Sequence, residues 1–214
     1  IGMNRLYTEQ GIKNVSQLMK HIRARTSVGD LFLIVLDWAK LWAGTKESIL
    51  YNTEITLPEN SARFLESIRE LLIRCKARIR TEEKYQEHRE GDKYLIEEAV
   101  RLGLKKKEVD VLNRVRIYFQ VRTVSDTASA NGTHINKEWY EKGHKTSWSK
   151  LKWPNLAEPT EGMMKAWKKF LNMLCTEHHV LRNKMGKWIK KDPTREHEMT
   201  ADNKAVYVNK GGKL

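Results

Sequence analysis

The chain has 214 residues, 40% of them hydrophobic and seven of them Trp, which is enough apolar material for one or two compact domains and excludes a chain disordered throughout. Lys and Arg total 40 against 27 acids, for a formal charge of +13 and a pI near 9.7. A surplus of that size points to a polyanionic partner without naming a reaction. The longest apolar run, LFLIVL at 31–36, meets Asp37 at once, far short of the ~20 residues a membrane span needs, so no membrane partner is expected.

The two cysteines, Cys75 and Cys175, lie far apart with no secretory signal ahead of them, which reads as reduced thiols in a nuclear or cytoplasmic protein rather than a disulfide scaffold. The formal glycosylation sequon Asn131-Gly132-Thr133 therefore reads as a turn with Gly in a left-handed conformation. A chain that opens on Ile1 and stops at KGGKL is expected to be a piece of something longer.

In chain order, Asn14 or Ser16 is placed to cap a helix through VSQLMKHIRAR, and VGDLFLIVLDWAKLWAG forms a second, strongly apolar helix ending at Gly44, the pair making a helical hairpin. Beyond Pro58, ENSARFLESIRELLIRCKARIR sets Leu65, Ile68, Leu72, Cys75 and Ile79 on one face, with Arg63, Arg69 and Arg74 among the basic residues on its flanks. A polar stretch at 81–92 precedes DKYLIEEAVRLG, a short helix ended by Gly103, and KKKEVDVLNRVRIYFQVRTVSDTA carries the central helix. Aromatics then crowd an irregular segment, with Trp139, Tyr140, Trp148 and Trp153. Thr160 or Glu158 opens the last long helix, EGMMKAWKKFLNMLCTEHH, and GKWIKKD and EHEMTADNKAVYV read as short strands, the latter a hairpin turning at DNK.

The positive charge is uneven, with eight Lys or Arg and a single acid, Glu177, between Met163 and Lys191. On a helical wheel Met163, Trp167, Phe170, Leu171 and Leu174 share one face, whereas Lys165, Lys168, Lys169 and Asn172 share the opposite one at the spacing i, i+3, i+4, i+7. Like charges at that spacing repel by a few tenths of a kcal/mol per pair, so the ridge is either a solvated, solubilising face or a place where an anion neutralises it.

The central helix poses a different problem. Val111, Leu112, Val115, Tyr118, Phe119 and Val121 make most of its circumference apolar, yet Asn113, Arg116, Gln120 and Thr123 fall on one quarter of it. Buried polar groups left unpaired cost about 1–3 kcal/mol each. The stripe must therefore pair internally, with Glu97, Glu98 or Asp126 as candidate partners, or line a groove open to phosphate. Arg114 leaves the helix in another direction.

Residues for catalysis do not assemble. Cys175, His178 and His179 have the spacing of metal ligands on one helix face, but no second ligand pair accompanies them. Glu82, Glu83, Glu87 and Glu90 form a polar run, and His21, His88, His134, His144 and His197 stand apart without an evident nucleophile. No metal or other cofactor is expected, and there is neither a glycine-rich phosphate loop nor a Tyr-x-Asp-Asp polymerase signature.

The segment VLNRVRIYFQVRTVSDTASANGTHI resembles the pattern Ile-Asn-x-Cys-Arg-(Leu/Ile)-Tyr-Leu-x-Val-x-x-(Leu/Val)-Ser-Asp-Ile-x-x-x-x-Gly-x-x-Ile of reverse-transcriptase polyproteins of retroelements in microbial eukaryotes. Asn113, Arg116, Tyr118, Gln120, Ser125, Asp126 and Gly132 fall on it. The likeness extends at low identity to LFLIVLDWAKLWAGTKESIL, LPENSARFLESIRELL and MGKWIKKDPTREHEMTADNKAVYV, whereas Val115 and Thr127 depart from the pattern's Cys and Ile. The resemblance implies a segment between the polymerase and ribonuclease H regions, with catalytic carboxylates elsewhere in the parent, an RNA-directed DNA polymerase. It implies a thumb-like or connecting role.

The expectations are then as follows. The fold is mainly α, about six helices with a small C-terminal β-hairpin, organised as a helical core domain over 1–158 and a basic helix plus hairpin over 159–214 that can belong to the same compact domain. The function is a non-catalytic module of a retroelement reverse transcriptase that grips DNA, RNA or hybrid by the phosphate backbone, alongside other segments of a larger polyprotein. Contacts would come from Lys165, Lys168, Lys169, Asn172, Lys187, Lys190, Lys191, Arg114 and Arg116. Trp139, Trp148 and Trp153 either stack on unpaired bases or pack a core. The rival readings are a nuclease or other nucleic-acid enzyme, distinguished by paired carboxylates around a divalent metal, and a basic domain that binds acidic protein.

Overall fold

The first helical hairpin is built around two small residues. In the computed structural model, which describes residues 2–57, 62–79, 86–141, 157–192, 197–200 and 206–208, helix α1 (Gly2–Arg23) is followed after a tight reversal by α2 (Ser27–Ala43). Thr26 caps α2, its side chain accepting from the Gly29 amide at 3.1 Å. Gly44, at φ +76°, closes the helix in the left-handed conformation expected of it. Gly29 lets the end of α1 approach, since a Cβ there would stand 2.3 Å from the His21 carbonyl oxygen. Helix α1 begins a full dozen residues before the cap expected at Asn14 or Ser16. Asn14 instead donates its side-chain amide to Ser67 Oγ at 2.8 Å, tying α1 to α3 (Arg63–Arg74).

Helix α3 buries Leu65, Ile68 and Leu72 as its spacing predicts, against Leu18, Leu36, Ile49 and Leu50. It stops at Arg74, however, so Cys75 is an exposed C-cap and not part of the apolar face. Arg69 is not on a solvated flank either. It is buried, and its guanidinium donates to the carbonyls of Ile49, Asn52, Thr53 and Ile55. These elements form one compact unit, Ile1–Thr81.

A second unit spans Glu82–Leu214. It contains α4 (Leu95–Arg101), α5 (Lys106–Phe119), the single turn α6 (Val124–Thr127), a 3-10 turn (Lys137–Tyr140) and α7 (Glu161–Leu174). Phe119 of α5, Trp167 and Phe170 of α7 and Trp139 of the 3-10 turn meet in its core, and the Trp167 indole donates to the Trp139 carbonyl at 3.0 Å. Helix α7 packs on α5 in that shared core, so residues on both sides of 158/159 belong to this unit. Trp139 is 3% exposed and therefore unavailable to stack on a base. Trp148 and Trp153 lie outside the described residues.

The strands form a small antiparallel sheet in the order β1 (Gln86–Arg89), β2 (Trp188–Asp192), β3 (His197–Thr200), β4 (Val206–Val208). The expected hairpin is β3 with β4, Met199 opposite Val206. Its turn lies outside the described residues. Strand β1, in the stretch read as merely polar, pairs with β2 so that Arg89 stands opposite Trp188. What holds β1 is Arg89, buried and donating to the carbonyls of Gly186, Ser129 and Ala130. Gly132 takes the left-handed conformation expected of it, φ +71°, and a Cβ there would stand 2.8 Å from the Arg89 guanidinium carbon. The architecture is thus mainly helical with a small antiparallel sheet. No described helix is long and apolar enough to cross a membrane.

Candidate functional site

The basic ridge on α7 follows from its capping and its burial. Thr160 accepts from the Met163 amide at 3.3 Å and starts the helix. Met164, Trp167, Phe170, Leu171 and Leu174 then turn into the core, so the buried face holds Met164, with the half-buried Met163 beside it. Lys165, Lys168, Lys169 and Asn172 are left exposed on the other side, where they line one shallow surface depression together with Met173 and Arg182.

Arg182 was not anticipated as a site residue, although it comes from the same basic stretch. Helix α7 ends at Leu174, before the HH pair, and the chain folds back through a tight loop in which His178 and His179 have φ of 52° and 64°. The Cys175–Leu181 bridge closes that loop. The Arg182 amide donates to the Leu174 carbonyl at 3.0 Å, and its side-chain Nε donates to the Met173 carbonyl at 3.2 Å. These bonds lay the guanidinium along the end of the ridge. The sequence signal was only the adjacent charge, because nothing in it announced the reversal. The same reversal takes Cys175, His178 and His179 off any common helix face. Cys175 is buried, and burial pushes its thiol up, with the neighbouring Tyr140 hydroxyl and Arg182 opposing.

Arg116 does not belong to a binding surface. It has no exposed surface at all. Its Nε and Nη2 donate to Asn113 Oδ1 at 3.1 and 2.6 Å, and Nη1 donates to the Val121 carbonyl at 3.0 Å. Burial, with the like charge of Arg122 nearby, pulls the guanidinium down to about 9, while Asp126 opposes. A phosphate has no route to it. The stripe is thus internally paired, but not as a straight helical face. Helix α5 ends at Phe119 with Gln120 in a left-handed cap, φ 57°. Asp126 accepts from the amides of Arg122 and Thr123 at 2.7 and 2.9 Å and opens α6. A Thr-x-x-Asp capping pair therefore interrupts what the wheel treated as one continuous helix.

Glu98, a candidate partner for the stripe, pairs elsewhere. It is buried, accepts two bonds from Arg101 at 2.9 and 2.6 Å, and lies 3.4 Å from Lys93 Nζ. The Arg101 bonds hold its carboxyl below the usual value, and the positive charges of Lys93 and Arg101 reinforce this against the opposing effect of burial. These residues border a second, small cleft of about 30 Å³, which Met173 and Arg182 also line. The two depressions therefore adjoin at Arg182.

The remaining anticipated contacts scatter. Arg114 and Lys187 are exposed but line neither depression. Lys190 and Lys191 stand on β2 opposite Glu87 and Gln86 of β1, and their side chains lie outside the described residues. Among the described residues no group of three His, Cys, Asp or Glu side chains is placed to hold a metal ion. What the site offers chemically is several exposed N–H donors on one rigid helix and its adjoining loop. That arrangement suits binding phosphate oxygens. Comparison of the chain with protein-family models, with curated proteins and with solved structures gave no match.

Proposed function

We propose that this protein is a non-catalytic nucleic-acid-binding module of a retroelement reverse-transcriptase protein, holding the phosphate backbone through the exposed face of α7. The observation that carries the binding reading is the placement of Lys165, Lys168, Lys169 and Arg182 around one open depression, on a helix whose opposite face is locked into the core. The retroelement assignment rests on the sequence resemblance centred on 111–135. Contacts of this kind fix position and register without reading base sequence.

Replacing Lys165, Lys168 and Lys169 together by Gln tests the reading. All three side chains are exposed, so the variant should keep its stability. Its affinity for duplex DNA and for RNA–DNA hybrid should fall for every sequence, and the slope of log affinity against log salt should flatten by up to ~0.9 per lost duplex contact. Unchanged affinity and slope in the folded variant make the ridge a solubilising surface. An affinity that hardly depends on salt points instead to an acidic protein partner.

A further inference from the structure

The second cleft has an unusual composition. Glu98 is one of the few charged side chains buried among the described residues, and it is surrounded by Lys93 and Arg101, whose side chains remain 48% and 52% exposed. A buried carboxylate that only needed neutralising would be satisfied by Arg101, which already engages both of its oxygens. Lys93 adds a second positive charge to a single negative one. The cluster therefore carries a net positive charge at the surface, and its two basic side chains are held in fixed positions by a carboxylate that solvent scarcely reaches.

The cluster lies on α4 and the segment before it, well away in sequence from α7, yet Arg182 and Met173 line both its cleft and the α7 depression. Lys165 to Asn172 spans eight residues of helix, roughly 10 Å over the rises between them at about 1.5 Å each. Beyond the end of that span the positive surface continues through Arg182 to Lys93 and Arg101. Acids also stand near this surface: Glu97 lies four residues from both Lys93 and Arg101, Glu90 and Asp92 flank Gly91 of the cleft, and Glu161 is one turn ahead of Lys165, while Glu98 is turned inward. The cleft is narrow, with about 30 Å³ of enclosed room, whereas the α7 depression is larger and open. Neither depression is lined by an aromatic side chain.

We infer that Lys93 and Arg101, positioned by Glu98 and joined to the α7 ridge through Arg182, form a second phosphate-contact zone, so that the module follows a duplex backbone across both zones. The inference rests on the polyanion reading above and adds to it the second zone and the class of ligand. Because neither depression offers an aromatic side chain on which a base could stack, the ligand is a paired backbone rather than splayed single-stranded bases.

The test compares two variants of the whole chain, with a short DNA duplex and one of its strands as probes over a range of salt. Lys93→Gln removes a proposed contact that lines only the second cleft and leaves the Glu98–Arg101 pair intact, so the fold should survive. Its duplex salt slope should flatten by up to ~0.9, and the effect should add to the up to ~2.7 expected of the α7 triple Gln variant, at ~0.9 per contact. If the Gln variant does not fold, Lys93→Met, which keeps the aliphatic stem, serves in its place. A slope reduced by the triple variant but unchanged by the second-zone variant overturns this inference and leaves the α7 reading standing. The reverse pattern keeps the second zone and removes the α7 ridge. Tighter binding of the single strand than of the duplex overturns the duplex assignment, and a wild-type protein that binds neither probe defeats both readings.

Discussion

Arg116→Ala separates a structural arginine from a ligand-binding one. The wild-type side chain has no exposed surface and donates at least three hydrogen bonds, two to Asn113 Oδ1 and one to the Val121 carbonyl. Truncation strips the buried Val121 carbonyl and the half-buried Asn113 Oδ1 of their donor, at about 1–3 kcal/mol for the buried acceptor if it finds no new partner and less for the other. It also opens a cavity where the fully buried side chain stood, and the cavity's lining loses packing contacts. Against this stands the relief of removing a charge that burial already disfavours, as its pKa of about 9 shows. The balance is a loss of about 2–4 kcal/mol in the second unit, read as a lower denaturation midpoint at unchanged cooperativity. Arg116→Met, which refills most of the volume but none of the bonds, should recover only part of it. Duplex affinity of the folded protein should match wild type at every salt concentration. A midpoint unchanged by Arg116→Ala, or an affinity loss without a stability loss, refutes the assignment of Arg116 to the interior.

Two further outcomes follow from the geometry. Gly29→Ala should destabilise the first unit by about 1–3 kcal/mol despite alanine's better helix propensity, because the new Cβ would stand 2.3 Å from a backbone oxygen that cannot rotate away; a variant as stable as wild type in denaturant would show that α1 and α2 separate without cost. Glu98 titrates below its ordinary 4.5 in the folded state, so its stabilising contribution is full above about pH 4.5 and is lost as pH falls through the lower folded value. Glu98→Gln should therefore flatten the acid limb of the stability–pH curve, and an unchanged limb would mean the Arg101 and Lys93 contacts contribute nothing measurable.

What could be read in the sequence was whatever depends on neighbours three or four positions apart. The buried faces of α3 and α7, the Thr160 cap, and the Gly44, Gly103 and Gly132 left-handed positions all follow from local spacing and backbone sterics. The errors begin where a distant partner decides. Asn14 has the chemistry of a cap, but Ser67, 53 residues on, takes its amide. Strand β1 lacks apolar alternation and exists because Arg89 reaches carbonyls about 40 and 97 residues away. The central wheel failed because a capping pair inside an apolar run ends one helix and begins another. Arg182 was visible as charge, but its place beside the ridge depends on a loop with two left-handed histidines that no spacing rule anticipates.

These cases bear on how a net charge of +13 should be understood. Among the described residues the buried arginines are Arg69, Arg89 and Arg116, and the bonds described for them run mainly to backbone carbonyls. A guanidinium suits that task because its planar donors can serve several carbonyls from one point, as a lysine's single ammonium cannot. Charge used in this way staples loops and strands and contributes nothing to an encounter with a polyanion at contact range. On the proposed reading, the charge that matters for binding is the exposed remainder, and its distribution is uneven. Lys165, Lys168, Lys169 and Arg182 gather on one face of the second unit, and Lys93 and Arg101 adjoin them. Composition alone gives all forty basic residues the same weight. The fold sorts them into interior fasteners and a surface track, and only the second group should alter the salt dependence of binding when it is neutralised.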